Sequence, residues 1–176
     1  IKYMNVPIIN HPYYFAQIGD DHRFPIKKFG ELIKNLKKKN IARDHNIFKP
    51  TEVSKLTLLN VHKETYIDKI NNLSLTQEEI RKLGFPLVSS VRRRSFVATG
   101  GPVLASKLAV KNKLACNTAG CSHHAFSDQG NGYCVFNDVA VAAKYLKKKY
   151  KFEKILILDL DVHQGDGTAK IFEKDD

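Results

Sequence analysis

The sequence predicts an α/β protein built on a parallel β-sheet, and three observations support this prediction. Short apolar segments that suit buried strands alternate with stretches whose apolar residues recur at helical spacing. Residues 155–158 are four consecutive apolar residues, a run typical of a strand buried on both faces of a parallel sheet. No internal repeat or linker interrupts the pattern, so we expect residues 1–176 to form a single domain.

The first part of the chain is expected to alternate between strand and helix. Residues 6–9 suit a first strand. The following helix has an apolar face with residues at helical spacing, namely Phe29, Leu32, Ile33 and Leu36. Residues 46–53 can hold a second strand, interrupted by Pro50, and residues 61–67 suit a loop and the start of a helix.

The middle of the chain reads as less regular. Residues 73–94 show no clear period, and residues 84–86 (Gly-Phe-Pro) mark a break. A helix rich in small residues is expected from Ser95 to Val110. It contains Gly100, Gly101 and Pro102 against normal helix propensity, which indicates close backbone packing at that point.

The last part of the chain repeats the strand-helix alternation. Residues 114–117 suit a third strand, and Asn137 or Asp138 can cap the helix that follows. After the strand at residues 155–158, residues 165–167 (Gly-Asp-Gly) form a tight turn into a helix that begins near Thr168.

The chain is strongly basic, with a formal net charge of +11 at pH 7. Such a balance invites comparison with proteins that bind nucleic acids or anionic membranes. However, no zinc-finger spacing, helix-turn-helix signal or aromatic RNA-binding motif accompanies the basic residues, and clustered lysines usually mark a solvated surface. We therefore do not expect specific nucleic-acid binding.

Membrane and disulfide signals are weak. No apolar run approaches the roughly 20 residues that cross a bilayer, and no signal peptide is visible at the start. The three cysteines are too few and odd in number for a disulfide framework. A cytoplasmic protein without a membrane partner is therefore expected.

Acidic and histidine side chains follow the strand at residues 155–158. Alternate residues of an extended chain point to the same side, so Asp159, Asp161 and His163 should project together from its carboxyl end. In α/β sheets ligands bind at this edge. Carboxylates and an imidazole there are suited to hold a divalent metal, although aspartates in this position can also simply cap the next helix.

A histidine pair follows the third expected strand. His123 and His124 should lie at the same edge of the sheet, where imidazoles beside a metal suit proton transfer. Asp159 and Asp166 are further carboxylates near that edge, and they could orient the two histidines.

Three segments resemble, in order and spacing, the linked motifs of the zinc-dependent histone deacetylase family. They are residues 120–125, residues 132–138 and residues 159–168. Residues 99–101 and 107–110 are most similar to the class IV branch and its bacterial relatives. The resemblance implies a hydrolase with the three-layer arginase/deacetylase-like α/β fold. The chain resembles the amino-terminal portion of this fold, with the carboxyl-terminal part missing.

The resemblance also implies a role for each matching residue. Asp161 and His163 would be two of three protein ligands of a catalytic zinc. His124 would be the general base paired with Asp166, and His123 its electrostatic neighbour paired with Asp159. Gly132 and Tyr133 would line the tunnel for the acyl-lysine side chain, and backbone carbonyls around residues 159–163 would bind a structural potassium ion.

The family's third zinc ligand and its oxyanion-stabilising tyrosine would come from segments beyond Asp176. We therefore expect the 176 residues alone to be poorly active, since loss of one oxyanion donor costs about a hundredfold or more in rate. The expected substrate is an acyl-lysine protein or a small acylated amine. An acetylpolyamine or other small-amide hydrolase, or a non-catalytic binding module, remain alternatives, and a manganese ureohydrolase is a weaker one. The oligomeric state stays open.

Overall fold

Three short parallel strands form the sheet of this protein. The computed structural model describes residues 6–175, and the strands are β1 (Ile8–Ile9), β2 (Ile47–Phe48) and β3 (Cys116–Asn117). Their order is β2-β1-β3, and Ile8 pairs with Ile47 on one side and with Cys116 on the other. The predicted α/β class with a parallel sheet is confirmed. The central strand is buried, and Ile9 has no accessible surface.

Helices follow and separate the strands along the chain. Within residues 6–175 they are α1 (Lys28–Lys38), α2 (Lys55–Leu58), α3 (Glu64–Asn71), α4 (Gln77–Leu83), α5 (Ser89–Asn112), α6 (Asp138–Tyr150) and α7 (Asp166–Phe172). Asn137 caps α6, because its side chain accepts the backbone N–H of Ala140. The helices expected after the first strand, after Ser95, after Asn137 and near Thr168 are present as α1, α5, α6 and α7. The last of them, α7, begins at the predicted Gly-Asp-Gly turn.

The expectation of irregular structure over residues 73–94 is wrong, whereas the expected break at residues 84–86 is present between the end of α4 at Leu83 and the start of α5 at Ser89. This stretch contains α4 and the first turns of α5. A capping box starts α4, since Thr76 accepts the backbone N–H of Glu79 while the Glu79 carboxylate accepts that of Thr76. The start of α5 is hidden in the sequence because its basic run suggests a solvated surface, whereas Arg94 is only 6% exposed.

Close packing explains the paired glycines inside α5. A Cβ atom on Gly100 would lie 2.1 Å from the carbonyl oxygen of Thr51, just beyond β2. A Cβ atom on Gly101 would lie 2.5 Å from the hydroxyl oxygen of Tyr14. These distances are too short for any side chain larger than glycine, so the pair lets α5 approach the sheet.

One cluster of buried side chains forms the core around α5 and α6. At its centre, the rings of Phe96 and Phe136 meet edge to face with centroids 5.2 Å apart. Tyr66 packs on Phe136 and donates its hydroxyl proton to the carbonyl of Val135 at 2.8 Å. The core therefore fixes residues 135–138, which lead directly into α6.

The prediction of a buried strand at residues 155–158 is wrong for the described structure. No strand includes these residues, and Leu156, Leu158 and Leu160 are 88%, 74% and 86% exposed. A strand requires neighbours that pair with its backbone N–H and C=O groups. Within residues 6–175 the three strands pair with one another, and none of them reaches this segment.

The exposed apolar segment leads to a prediction about solubility. Three leucines in alternate positions of an unpaired segment expose their apolar side chains, which favours association. We expect Leu156→Lys with Leu160→Lys to reduce severalfold the binding of an apolar fluorescent dye and the self-association of the chain. Leu56→Lys, at a leucine of α2 that is 78% exposed, should change neither. Equal effects of the two replacements would contradict the prediction.

No helix among the described residues combines the length and the apolar character that a membrane span requires. The three cysteines, Cys116, Cys121 and Cys134, are all free thiols.

Candidate active site

Two adjacent histidines occupy the loop between β3 and α6. His123 is buried, and its Nδ1 atom lies 2.6 Å from a carboxylate oxygen of Asp159. The ring of His124 is next to that of His123, with centroids 4.2 Å apart. The hydrogen bond with His123 is the largest of the effects that lower the pKa of Asp159. This aspartate therefore stays ionised beside the imidazole.

His124 is paired with the first residue of α7. Its Nδ1 atom lies 2.7 Å from Oδ1 of Asp166, and the same oxygen accepts the backbone N–H of Gly167 at 2.9 Å. Burial raises the pKa of Asp166, but the hydrogen bonds from His124 and Gly167 outweigh it, so the pKa lies below its ordinary value. An ionised Asp166 makes Nδ1 of His124 the protonated nitrogen and leaves Nε2 free to accept a proton.

Asp161 and His163 lie beside this pair and are more exposed. Nδ1 of His163 is 2.9 Å from Oδ1 of Asp161, and Nε2 of His123 is 3.9 Å from the same oxygen. The rings of His124 and His163 lie 6.0 Å apart. A carboxylate and an imidazole side by side are the donor types that zinc accepts. Asp159 does not join them, because its carboxylate contacts His123.

A complete metal site is not formed by the described part of the chain. Among residues 6–175 there is no group of three or more His, Cys, Asp or Glu side chains that could hold a metal ion. Asp161 and His163 thus fit zinc by donor type, while their number falls one short of the three protein ligands of catalytic zinc sites.

The histidine pair and the two candidate metal ligands face one cavity of about 560 Å³. Its walls include His123, His124, Asp161 and His163 together with Gly132 and Tyr133. Gly132 has a positive φ of 52°, and a Cβ atom there would lie 2.9 Å from the ring of His124. Any larger residue would collide with His124, so the glycine allows the wall to approach that imidazole.

Tyr133 is part of an aromatic cluster at one side of the cavity. Its ring lies 5.2 Å from that of Phe24 and 5.4 Å from that of Phe85, and Phe24 and Phe85 meet edge to face at 5.0 Å. His22 adds a further ring, 5.8 Å from Tyr133, and bonds the carbonyl of Gly84. The sequence pattern gave no sign of Phe24 or Phe85, because they come from distant loops.

Arg94 of α5 is a third residue that sequence reasoning missed. It lines the same cavity, donates from Nε to the carbonyl of Tyr14 at 2.9 Å, and stacks over Phe29 at 4.9 Å. Burial lowers its pKa to about 10, so it remains cationic near neutral pH. Its place in a basic run concealed its burial.

Comparison with known proteins identifies the family. The histone deacetylase domain matches residues 22–176 of the chain. An uncharacterized protein of Picosynechococcus sp. is 39% identical over 172 residues, covering 98% of this chain and 57% of that protein. Histone deacetylase 2 of Arabidopsis thaliana is 30% identical over 159 residues, covering 87% of this chain and 41% of that protein.

Solved structures agree with the sequence relatives. The crystal structure of an HDAC homolog from Aquifex aeolicus superposes with a TM-score of 0.82 at 28% identity, covering 95% of this chain and 47% of that one. An HDAC homolog complexed with SAHA superposes equally well. The predicted arginase/deacetylase-like fold is thereby confirmed, and the chain spans about half the length of the relatives it matches. We conclude that this chain belongs to the histone deacetylase domain family.

Proposed function

We propose that this chain supplies the proton-transfer pair and two metal ligands of a zinc-dependent deacylase that hydrolyses an acyl-lysine amide. The observation that carries the proposal is the pairing of two adjacent histidines with two aspartates, His123 with Asp159 and His124 with Asp166, at 2.6 and 2.7 Å. His123 and His124 line one cavity together with Asp161 and His163.

His124 is the general base in this proposal. With Nδ1–H donated to Asp166, its Nε2 atom takes a proton from the water that attacks the acyl carbon. The amide C–N bond then breaks, and His124 returns the proton to the leaving amine. The products are a carboxylate and the free lysine amine. His123, held by Asp159, stabilises the charge that develops beside it.

Zinc is the metal that we propose for the site. Asp161 and His163 would hold it together with a third ligand from outside the described residues. When bound, zinc supplies a Lewis acid that polarises the amide carbonyl and makes the attacking water more acidic. We further propose that a structural potassium ion binds the backbone carbonyls around residues 159–163. The proposed compartment is the cytoplasm.

The cavity wall supports an acyl-lysine substrate. Phe24 and Tyr133 form an apolar wall of the cavity beside the histidine pair, and the buried Phe85 packs against both of them. Gly132 leaves the backbone close to His124. Such a wall suits the methylene groups of a lysine side chain. The same wall would accept an acylated polyamine, which remains the nearest alternative substrate.

The test uses a hybrid protein. We define it as residues 1–176 joined to the part of the Picosynechococcus relative that this chain does not match. It is incubated with zinc and with an acetyl-lysine peptide, a long-chain acyl-lysine peptide and an acetylpolyamine. We expect hydrolysis of an acyl-lysine peptide that is lost with a chelator and restored by zinc, and little hydrolysis by the 176 residues alone.

Each alternative gives a different outcome in the same assay. Faster hydrolysis of the acetylpolyamine would indicate a small-amide hydrolase. A folded hybrid that binds no zinc in calorimetry would indicate a non-catalytic binding module. Zinc-dependent turnover by the 176 residues alone would contradict the expectation that they are poorly active.

A further inference from the structure

Asn137 is buried where three parts of the site meet. It has no accessible surface and precedes α6. Its Oδ1 atom accepts the N–H of Ala140, which fixes the orientation of the side-chain amide. Its Nδ2 atom therefore faces the histidine loop, 3.3 Å from the carbonyl oxygen of His123 and 3.1 Å from that of Ala125. One amide thus holds the backbone on both sides of His124.

The same amide reaches the helix that carries Asp166. Nδ2 of Asn137 lies 3.0 Å from Oγ1 of Thr168 in α7. The backbone N–H of Thr168 donates to the carbonyl of His123 at 3.0 Å. A Cβ atom on Gly167 would lie 2.4 Å from the carbonyl oxygen of Ala125, so α7 packs directly on the loop. Loop and helix are joined at a point next to both members of the His124–Asp166 pair.

A buried histidine accepts a hydrogen bond from the backbone of Asn137. Nε2 of His62 accepts the backbone N–H of Asn137 at 3.0 Å, and His62 is only 2% exposed. Burial lowers the pKa of His62 to about 4, so the ring is neutral near pH 7 and keeps Nε2 as an acceptor. The rings of His62 and Phe136 lie 5.2 Å apart, which connects Asn137 to the core.

We propose that Asn137 is a positioning residue, which clamps the His123–His124 loop to α7 through Thr168 and so sets the hydrogen bond between His124 and Asp166. Capping α6 requires only an acceptor at this position, which serine or aspartate would supply equally well. The two Nδ2 protons serve no purpose in the cap, and their acceptors belong to the loop and to α7. This inference deepens the proposed function, on which its catalytic meaning rests.

The test observes the His124–Asp166 hydrogen bond itself in the 176-residue chain. The Nδ1 proton of His124 should give a downfield NMR resonance, assigned by its loss in Asp166→Ala. In Asn137→Asp the cap of α6 is retained, but a carboxylate replaces the donor that faces two carbonyl oxygens. We expect the resonance to disappear in Asn137→Asp. It should also disappear in Thr168→Val, which has the shape of threonine but no hydroxyl, and remain in Thr168→Ser.

Two controls separate positioning from a general loss of stability. Ser54→Ala removes the cap of α2, and Ile70→Val trims the core outside the cavity. Both variants should keep the resonance, while circular dichroism confirms that every variant is folded. Persistence of the resonance in folded Asn137→Asp and Thr168→Val, or its equal loss in the two controls, would overturn the proposal. Because the resonance needs neither metal nor substrate, an inactive hybrid would refute the proposed function and leave this result unaffected.

Discussion

Replacing His124 by alanine in the hybrid protein is expected to lower kcat by about a hundredfold to ten-thousandfold, the usual contribution of a positioned acid–base residue. The reason is geometric. With Nδ1 held by Asp166 at 2.7 Å, Nε2 of His124 is the free acceptor at the cavity, and alanine removes it. The measurement is the initial rate on a saturating acyl-lysine peptide with zinc present.

The companion variant Asp166→Asn tests the same hydrogen bond from its other end. An amide can donate to Nδ1 of His124, which would move the ring proton to Nε2 and remove the base. We therefore expect a loss close to that of His124→Ala. His45→Ala, at an exposed histidine outside the cavity, is the matched control and should keep its activity. A decrease of less than tenfold in both His124→Ala and Asp166→Asn would contradict the assignment of the base.

The second large effect is expected in metal binding. Loss of a residue that only supports a metal ligand typically weakens metal binding by about 10- to 100-fold. In the hybrid, His163→Ala and Asp161→Ala should each weaken zinc binding by more than that. Each removes a donor from a pair whose atoms lie 2.9 Å apart. The measurement is calorimetric titration of the metal-free hybrid with zinc.

Asp159→Ala provides the discriminating comparison for the metal site. Sequence spacing alone allows Asp159 to be a ligand, but its carboxylate is 2.6 Å from Nδ1 of His123 and is used there. We therefore expect Asp159→Ala to weaken zinc binding far less than Asp161→Ala. Equal losses for the two aspartates would contradict this division between a ligand and a partner of His123.

Much of the fold could be predicted because its signals are local. The apolar face of α1, the cap of α6 at Asn137 and the glycine turn before α7 each depend on neighbouring residues. The start of α4 is equally local, but its capping box lies in a polar stretch that hides it. The prediction of a strand at residues 155–158 was wrong, because a strand forms only where the backbone of another strand pairs with it.

The sequence by itself determined the chemical groups of the candidate site and their order along the chain. Adjacent histidines after one apolar segment and alternating aspartates after another indicate a metal and proton-transfer site, since the preference of these side chains for zinc and protons is intrinsic. The pairing of each histidine with its aspartate could be predicted only from the resemblance to a family. Spacing along an extended chain puts Asp159 and Asp161 on the same side and so does not distinguish them.

Only the tertiary structure decided the surroundings of those groups. Phe24 and Arg94 reach the cavity from separate segments, Phe85 packs against Phe24, and Asn137 meets the histidine loop and α7 at one buried point. No local pattern marks these contacts, because they join parts of the chain that are distant in sequence. The physical reason is that hydrogen bonding and close packing act between neighbours in space, which only the folded chain defines.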